Sequence, residues 1–391
     1  MQGISSLSLQ NTSNTQSLPW RRSNVRHTSN ELYVDLVESL SVTLAPSGRP
    51  LSAFAYGTIA FTAKISGVPD LLLTLSSPSG KHNLESVMEL PVFHPCVRLA
   101  RWKEKPGELS FIPPDGRFVL AGYEVDLLPF TSGSGKLSNS SANLRLPVSV
   151  EVKTSLGQTG SDFEVRLQLS KVEGSSSKSM SALSSLQSVT SSMGSSRGGG
   201  RPKVPRIGSG ISGPTADQGP QIEDLRVSVP ICADVRTLSD IRASRGEVHY
   251  NPGDSTLEWT IPAKEAGAGI ATLRATIVSG SHQAAEGVKS ISFEDESFGY
   301  QELDDDEKLE DGSTGKESEE SKDRRSIEKH RILMPRNANV SFSIKGWLAS
   351  GIKVESLVVD KAKSRGLGDG VKPYKGVKYL TVSRGGLETR C

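Results

Sequence analysis

Residues 31–44 read Glu31-Leu-Tyr-Val-Asp-Leu-Val-Glu-Ser-Leu-Ser-Val-Thr-Leu44. Polar and apolar positions alternate and β-branched residues recur. That period of two marks a strand with one buried face. Outward from it, Pro46-Ser-Gly48 is a turn and Leu51 to Ile65 is a second extended run, ended by Ser66-Gly-Val-Pro69. Asp70 to Leu75 is a third, closed by Ser-Ser-Pro-Ser-Gly80. The texture returns at 109–112, 118–127, 144–153, 163–169, 225–231, 256–261, 270–277, 340–344, 352–359 and 376–382. Short strands between Gly, Pro and Ser turns predict an antiparallel all-β protein. The best helical window, Met180 to Met193, is crowded with serine, so no long helix is expected.

Two stretches break the pattern. Residues 171–220 hold fourteen Ser and nine Gly and no aromatic residue. They cannot bury enough apolar surface to offset their conformational entropy, so a disordered loop is expected. Residues 294–323 hold fourteen carboxylates against three lysines, a net −11 inside a 391-residue chain of net +2. Like-charge repulsion makes this an acidic disordered insertion, drawn at 294–336. Residues 1–24 read as a linker.

Other classes fall away. No stretch approaches the ~20 continuous apolar residues of a membrane-spanning helix. Met1 to Leu18 is polar, without the apolar run of a secretory signal. Cys96, Cys232 and Cys391 are far apart and odd in number, giving neither a disulfide framework nor zinc spacing. A reducing cytoplasmic compartment follows, with Cys96 and Cys232 as small buried apolar residues. There is no Gly-x-Ser-x-Gly elbow. Gly312-Ser-Thr-Gly-Lys316 lacks phosphate-loop spacing, and the six histidines form no close metal-ligand pair. The expectation is a protein that is not an enzyme, with no cofactor, no metal and no nucleic-acid partner.

One ordered set of motifs remains. Pro19-Trp-Arg21, Asn30 to Glu38, and Gly57 through Ile65-Ser-Gly-Val-Pro-Asp70 come first. Phe93-His-Pro-Cys-Val-Arg98, Leu109-Ser-Phe-Ile-Pro-Pro-Asp-Gly116 and Ser350-Gly-Ile-Lys-Val354 follow. Lys375-Gly-Val-Lys-Tyr379 and Glu388-Thr-Arg-Cys391 close the set. Taken alone, Pro-Pro-Asp-Gly is a turn in which proline fixes φ and glycine supplies φ > 0. Taken together and in order, the set resembles the mu homology domain of the medium subunits of heterotetrameric clathrin-adaptor complexes. Phe93-His-Pro-Cys and Lys375-Gly-Val-Lys-Tyr379 resemble the third complex, while the long insertions point to a divergent branch such as the fifth. By this resemblance, the family's N-terminal longin-like domain is expected to be missing from this chain.

The resemblance implies an elongated two-lobed antiparallel β-sandwich: lobe A at 25–128 plus 337–391, and lobe B at 141–293. It implies a cargo-recognition module in vesicle-mediated protein transport, peripheral on endosomal or Golgi membranes. Its partners would be large and small adaptor subunits and the cytosolic tails of membrane cargo. A structural coat subunit that reads no cargo is the alternative. Family members of the tyrosine-signal type take an extended Tyr-x-x-apolar peptide as an added strand. Matched by motif, Tyr33 falls on the aromatic wall and Asp35 on the carboxylate that accepts the phenol. Thr62 falls where the family has a lysine, with Lys64 two residues on and on the same face. Gly376 and Lys378 fall on the family's Trp and Arg, with Val377 between them. Family members at the cell surface also use lysines of lobe B to reach phosphoinositides. Here Ala233 to Ala263 carries Arg236, Arg242 and Arg245 diluted by Asp234, Asp240, Glu247 and Asp254, so no strong phosphoinositide site is expected.

Overall fold

The computed structural model describes residues 18–78, 84–128, 144, 146–171, 220–279, 327–368 and 371–391. The first lobe begins with β1 (Glu31–Leu44), β2 (Pro50–Lys64) and β3 (Val68–Ser76), followed by β4 (Glu89–Phe93), β5 (Glu108–Phe111) and β6 (Gly116–Asp126). Two short helices, α1 (Leu84–Val87) and α2 (Leu99–Glu104), flank β4. Next come β7 (Val148–Leu156), β8 (Asp162–Leu169), β9 (Gln221–Pro230), β10 (Val235–Ala243), β11 (Glu247–Asn251), β12 (Thr256–Ile261) and β13 (Gly269–Ser279). The chain closes with β14 (Asn337–Lys345), β15 (Lys353–Arg365) and β16 (Tyr374–Arg390).

The expected all-β architecture is present. A nine-stranded sheet in the order β11-β12-β9-β14-β16-β1-β2-β6-β4 runs through both lobes. The three-stranded sheet β15-β3-β5 covers one part of it and the four-stranded sheet β10-β13-β8-β7 the other. Two cores result. Leu32, Val34 and Leu36 of β1 lie in the first, with Phe61, Leu71, Leu73 and Phe111. Leu40, Val42 and Leu44 of the same strand lie in the second, with Phe163, Val227, Trp259 and Leu273. β1 and β16 pair in parallel, and the register slips between Ser39 and Val42. There Gly386 packs so close to Leu40 that a Cβ would sit 2.2 Å from its carbonyl oxygen, and Gly385 has φ of 67°. The glycine pair is a bulge through which β16 passes from one core to the other.

The packing differs from the expected boundaries in three places. Residues 337–345, grouped with lobe A by resemblance, put Ala338, Val340, Phe342 and Ile344 into the second core. The last part of the expected acidic insertion contains a helix at 327–333. There, His330 Nδ1 lies 3.0 Å from the Thr159 carbonyl, and Met334 just beyond the helix is buried. The rest of both expected insertions lies outside the described residues, apart from Lys171 and Pro220. Finally, the expected linker 1–24 ends in packed structure. Trp20 Nε1 donates to Ile112 O at 2.9 Å, and Arg21 is 3% exposed.

That arginine explains the motifs. Its guanidinium donates to Gly67 O at 2.9 Å, to Ile65 O, and to Pro113 and Pro114 O. Asp115 of the Pro-Pro-Asp-Gly turn lies 3.7 Å from Arg21 and 2.8 Å from His27. Arg98, closing Phe-His-Pro-Cys-Val-Arg, donates to Asp70 at 2.9 Å and to Ser110 Oγ at 2.7 Å. Motifs far apart in sequence are thus two arginine clamps on one frame, each satisfying buried acceptors that would otherwise be costly. A third polar knot lies between the cores. Glu38, with no exposed surface, accepts from Tyr123 Oη at 2.9 Å, from Ser350 N at 3.1 Å and from Ser350 Oγ. Desolvation, opposed by those hydrogen bonds, holds its carboxyl above the usual range.

Candidate functional site

The outer face of β16, β1, β2 and β6 carries the residues singled out by resemblance. Alternation sends Leu32, Val34 and Leu36 inward and leaves Glu31, Tyr33 and Asp35 outward. Register then arranges them in rows. In the first, Tyr374 of β16 lies opposite Glu31, and Glu31 opposite Lys64 of β2. In the second, Gly376, Tyr33, Thr62 and Arg117 stand side by side across the four strands. In the third, Lys378 lies opposite Asp35, followed by Ala60 and Val119.

Tyr33 forms the floor of the middle row. Its ring lies over Gly376, where an added Cβ would approach Tyr33 Cδ1 to 2.8 Å. Tyr374 tilts against it, ring centroids 5.8 Å apart at 55°. Tyr33 Oη donates to Glu31 Oε2 at 3.2 Å. Desolvation, with the Glu31 hydrogen bond and charge, raises the phenol above its ordinary value, so it stays a neutral donor. Asp35 Oδ2 accepts from Arg117 Nη1 at 2.7 Å, while Oδ1 has no partner among the described residues. Lys378 and Lys64 are exposed and form no ion pair among the described residues. Val377 stands apart: its side chain packs against the first core, so only its backbone belongs to this surface.

Two further residues belong here. Arg117 supplies the cation beside the carboxylate that Thr62 does not. Tyr374 supplies aromatic surface beside Gly376. Arg117 directly follows the Pro-Pro-Asp-Gly turn, and Tyr374 stands two residues before Gly376 on the same strand, which are the signals that could have found them.

The backbone beside this face is open. β14 pairs with β16 only from Leu380 onward, and Gly346 N donates to Tyr379 O at 2.9 Å. Among the described residues no strand pairs with 374–378 on the side away from β1. β15 runs beneath that edge from the core side. Tyr379 Oη accepts from Val354 N at 3.0 Å, and Lys375 Nζ donates to Leu357 O at 2.6 Å, burial lowering the affinity of that amine for its proton. An open strand edge beside side chains at alternate positions can take an extended peptide by strand addition. Among the described residues no group of three or more His, Cys, Asp or Glu could hold a metal ion, and no helix is long and apolar enough to cross a membrane.

This fold, two β lobes sharing one long sheet, is that of a mu homology domain. Residues 18–391 match the adaptor complexes medium subunit family, and the chain belongs to that family, which is non-enzymatic. It is 34% identical to the AP-3 complex subunit mu of Arabidopsis thaliana over 154 residues, 39% of this chain and 35% of that protein. It is 34% identical to the AP-3 complex subunit mu-1 of Homo sapiens over 167 residues, 41% of this chain and 38% of that protein. The matched stretches thus span well under half the length of these relatives. A homology model of the full-length AP-3 complex in an intermediate open conformation shares the fold, with TM-score 0.50 and 18% identity over 93% of this chain and 69% of that one.

Proposed function

We propose that the chain is a cargo-recognition module of an adaptor complex in vesicle-mediated transport, reading Tyr-x-x-apolar signals by strand addition to β16. The observation that carries this reading is the open edge at 374–378 beside Tyr33, Asp35 and Lys378. A cargo tyrosine would lie over the Gly376 and Tyr33 surface, its hydroxyl donating to the free oxygen of Asp35. Backbone bonds to β16 would supply affinity and alternate side chains selection. The module would act on the cytoplasmic face of endosomal or Golgi membranes with large and small adaptor subunits as partners. We place it in a divergent branch, the fifth complex or the third, which co-purifying large subunits would separate.

The test is a titration of a Tyr-x-x-Leu peptide into the protein, with Tyr33→Ala and a remote surface substitution beside it. Binding lost only in Tyr33→Ala is expected. No binding at millimolar peptide, or equal loss in both variants, contradicts the reading and leaves a coat subunit that holds partners without reading cargo.

A further inference from the structure

The open edge leads onto a cluster of cations scattered in the sequence. β15 passes Tyr379 at Val354 and Lys375 at Leu357, so it runs opposite to β16. Its last residues therefore lie beyond the Tyr374 end of the edge. β15 leaves regular pairing between Asp360 and Arg365, where Lys361, Lys363 and Arg365 are exposed. Lys372, two residues before β16, is exposed at the same end. The chain entering β1 arrives there as well: Tyr374 N donates to Asn30 O at 2.9 Å, and Gly67 N to Val25 O at 2.9 Å. Gly67 in turn packs on the backbone of Arg365 and Gly366. This brings exposed Arg26 and Lys64 alongside.

Six cations thus converge from three separate segments. Among the described residues, the carboxylates near them are engaged. Asp360 lies 3.3 Å from Lys363, Asp115 is held by His27 and Arg21, and Glu31 accepts from Tyr33 and Ser29. Arg26, Lys64, Lys361, Arg365 and Lys372 form no ion pair among the described residues. Such a one-signed patch favours an anionic partner, and its place decides which one. It continues the line of a strand laid along 374–378, so the partner would arrive as the flank of the same peptide.

Resting on the strand-addition reading above, we infer that this end of the first lobe selects peptides with an acidic stretch on one side of the tyrosine signal. The interaction is electrostatic and side-chain based. It adds to the backbone pairing without changing it.

The experiment uses the full chain and labelled peptides sharing a Tyr-x-x-Leu core. They carry Glu-Glu-Glu on the N-terminal side, Glu-Glu-Glu on the C-terminal side, or glutamines on both. Exposed pairs of this kind, a few together, give about a ten-fold gain at low salt. That gain is expected for one acidic flank only, and it should vanish at about 0.5 M salt. Combined Lys361→Glu, Arg365→Glu and Lys372→Glu should abolish it, with unchanged affinity for the glutamine-flanked peptide and an unchanged melting temperature. If acidic and glutamine flanks bind equally, this inference fails while the edge reading stands. If no peptide binds, both fail. If the triple variant loses binding to vesicles of anionic lipid while its peptide affinities match the parent, the patch serves a membrane surface and the inference is overturned.

Discussion

Arg21 and Arg117 are both arginines of the first lobe, and they are used in opposite ways. Arg21 is buried and its donors reach carbonyls of two loops and the Asp115 carboxylate. Among the described residues Arg117 has a single partner, Asp35, and its side chain is 62% exposed. Around Arg21 the polar valences are satisfied within the molecule; around Arg117 an oxygen of Asp35 and the charge of Lys378 remain open, next to an unpaired strand edge. The first region is built to hold shape, the second to receive something. The motifs that mark the family most strongly belong largely to the first.

If that contrast is right, frame substitutions cost stability and face substitutions cost binding. The largest effect belongs to Arg21→Ala, which leaves the Gly67, Ile65 and Pro113 carbonyls without their buried donor. A loss of about 3–5 kcal/mol is expected in denaturant unfolding. A loss under about 1 kcal/mol would break the comparison.

Gly57→Ala comes next. Gly57 faces Glu38 and Tyr123 across the sheet, and an added Cβ would lie 2.0 Å from the Tyr123 ring. The ring must move, weakening its bond to Glu38, at about 1–3 kcal/mol. Differential scanning calorimetry of Gly57→Ala beside Tyr123→Phe would show how much of that loss is the hydrogen bond.

A smaller effect concerns pH. Burial raises the Glu38 carboxyl in the folded state above its ordinary value of 4.5. The folded state therefore binds more protons than the unfolded state between those two values, and stability falls as pH rises through that window. Glu38→Gln removes this dependence. The stability of the parent relative to Glu38→Gln should decline as pH climbs from about 4.5 toward the raised folded value. A difference that stays flat would mean the carboxyl is not perturbed.

The smallest effect on folding belongs to the face. Tyr33→Ala should shift stability by less than about 1 kcal/mol, since the side chain is half-buried on the outer face and lies outside the core. A cost above about 2 kcal/mol would move Tyr33 into the frame.

Much of the fold was legible because strands declare themselves locally. The alternation at 31–44 places Leu32, Val34 and Leu36 inward without knowledge of their partners. Pairing is not local, and there the reading stopped. Asp35 and Arg117 are 82 residues apart, and Glu38 and Ser350 are 312 apart. No sequence pattern joins them. β14 carries the same alternation as the strands of the first lobe, so its burial in the second core follows only from its place between β9 and β16. Of the candidate site, Tyr33, Asp35, Thr62 and Lys378 came from the family resemblance, and period two added only that Tyr33 and Asp35 share a face. Their rows, and the open edge beside them, required the register.

The most direct test is hydrogen–deuterium exchange on the protein with and without a Tyr-x-x-Leu peptide, read at residues 374–378. An added strand bonds to amides on the free side of β16, so slower exchange confined to this stretch is the predicted result. Bound peptide with no change at 374–378, or protection appearing elsewhere instead, would contradict strand addition at β16.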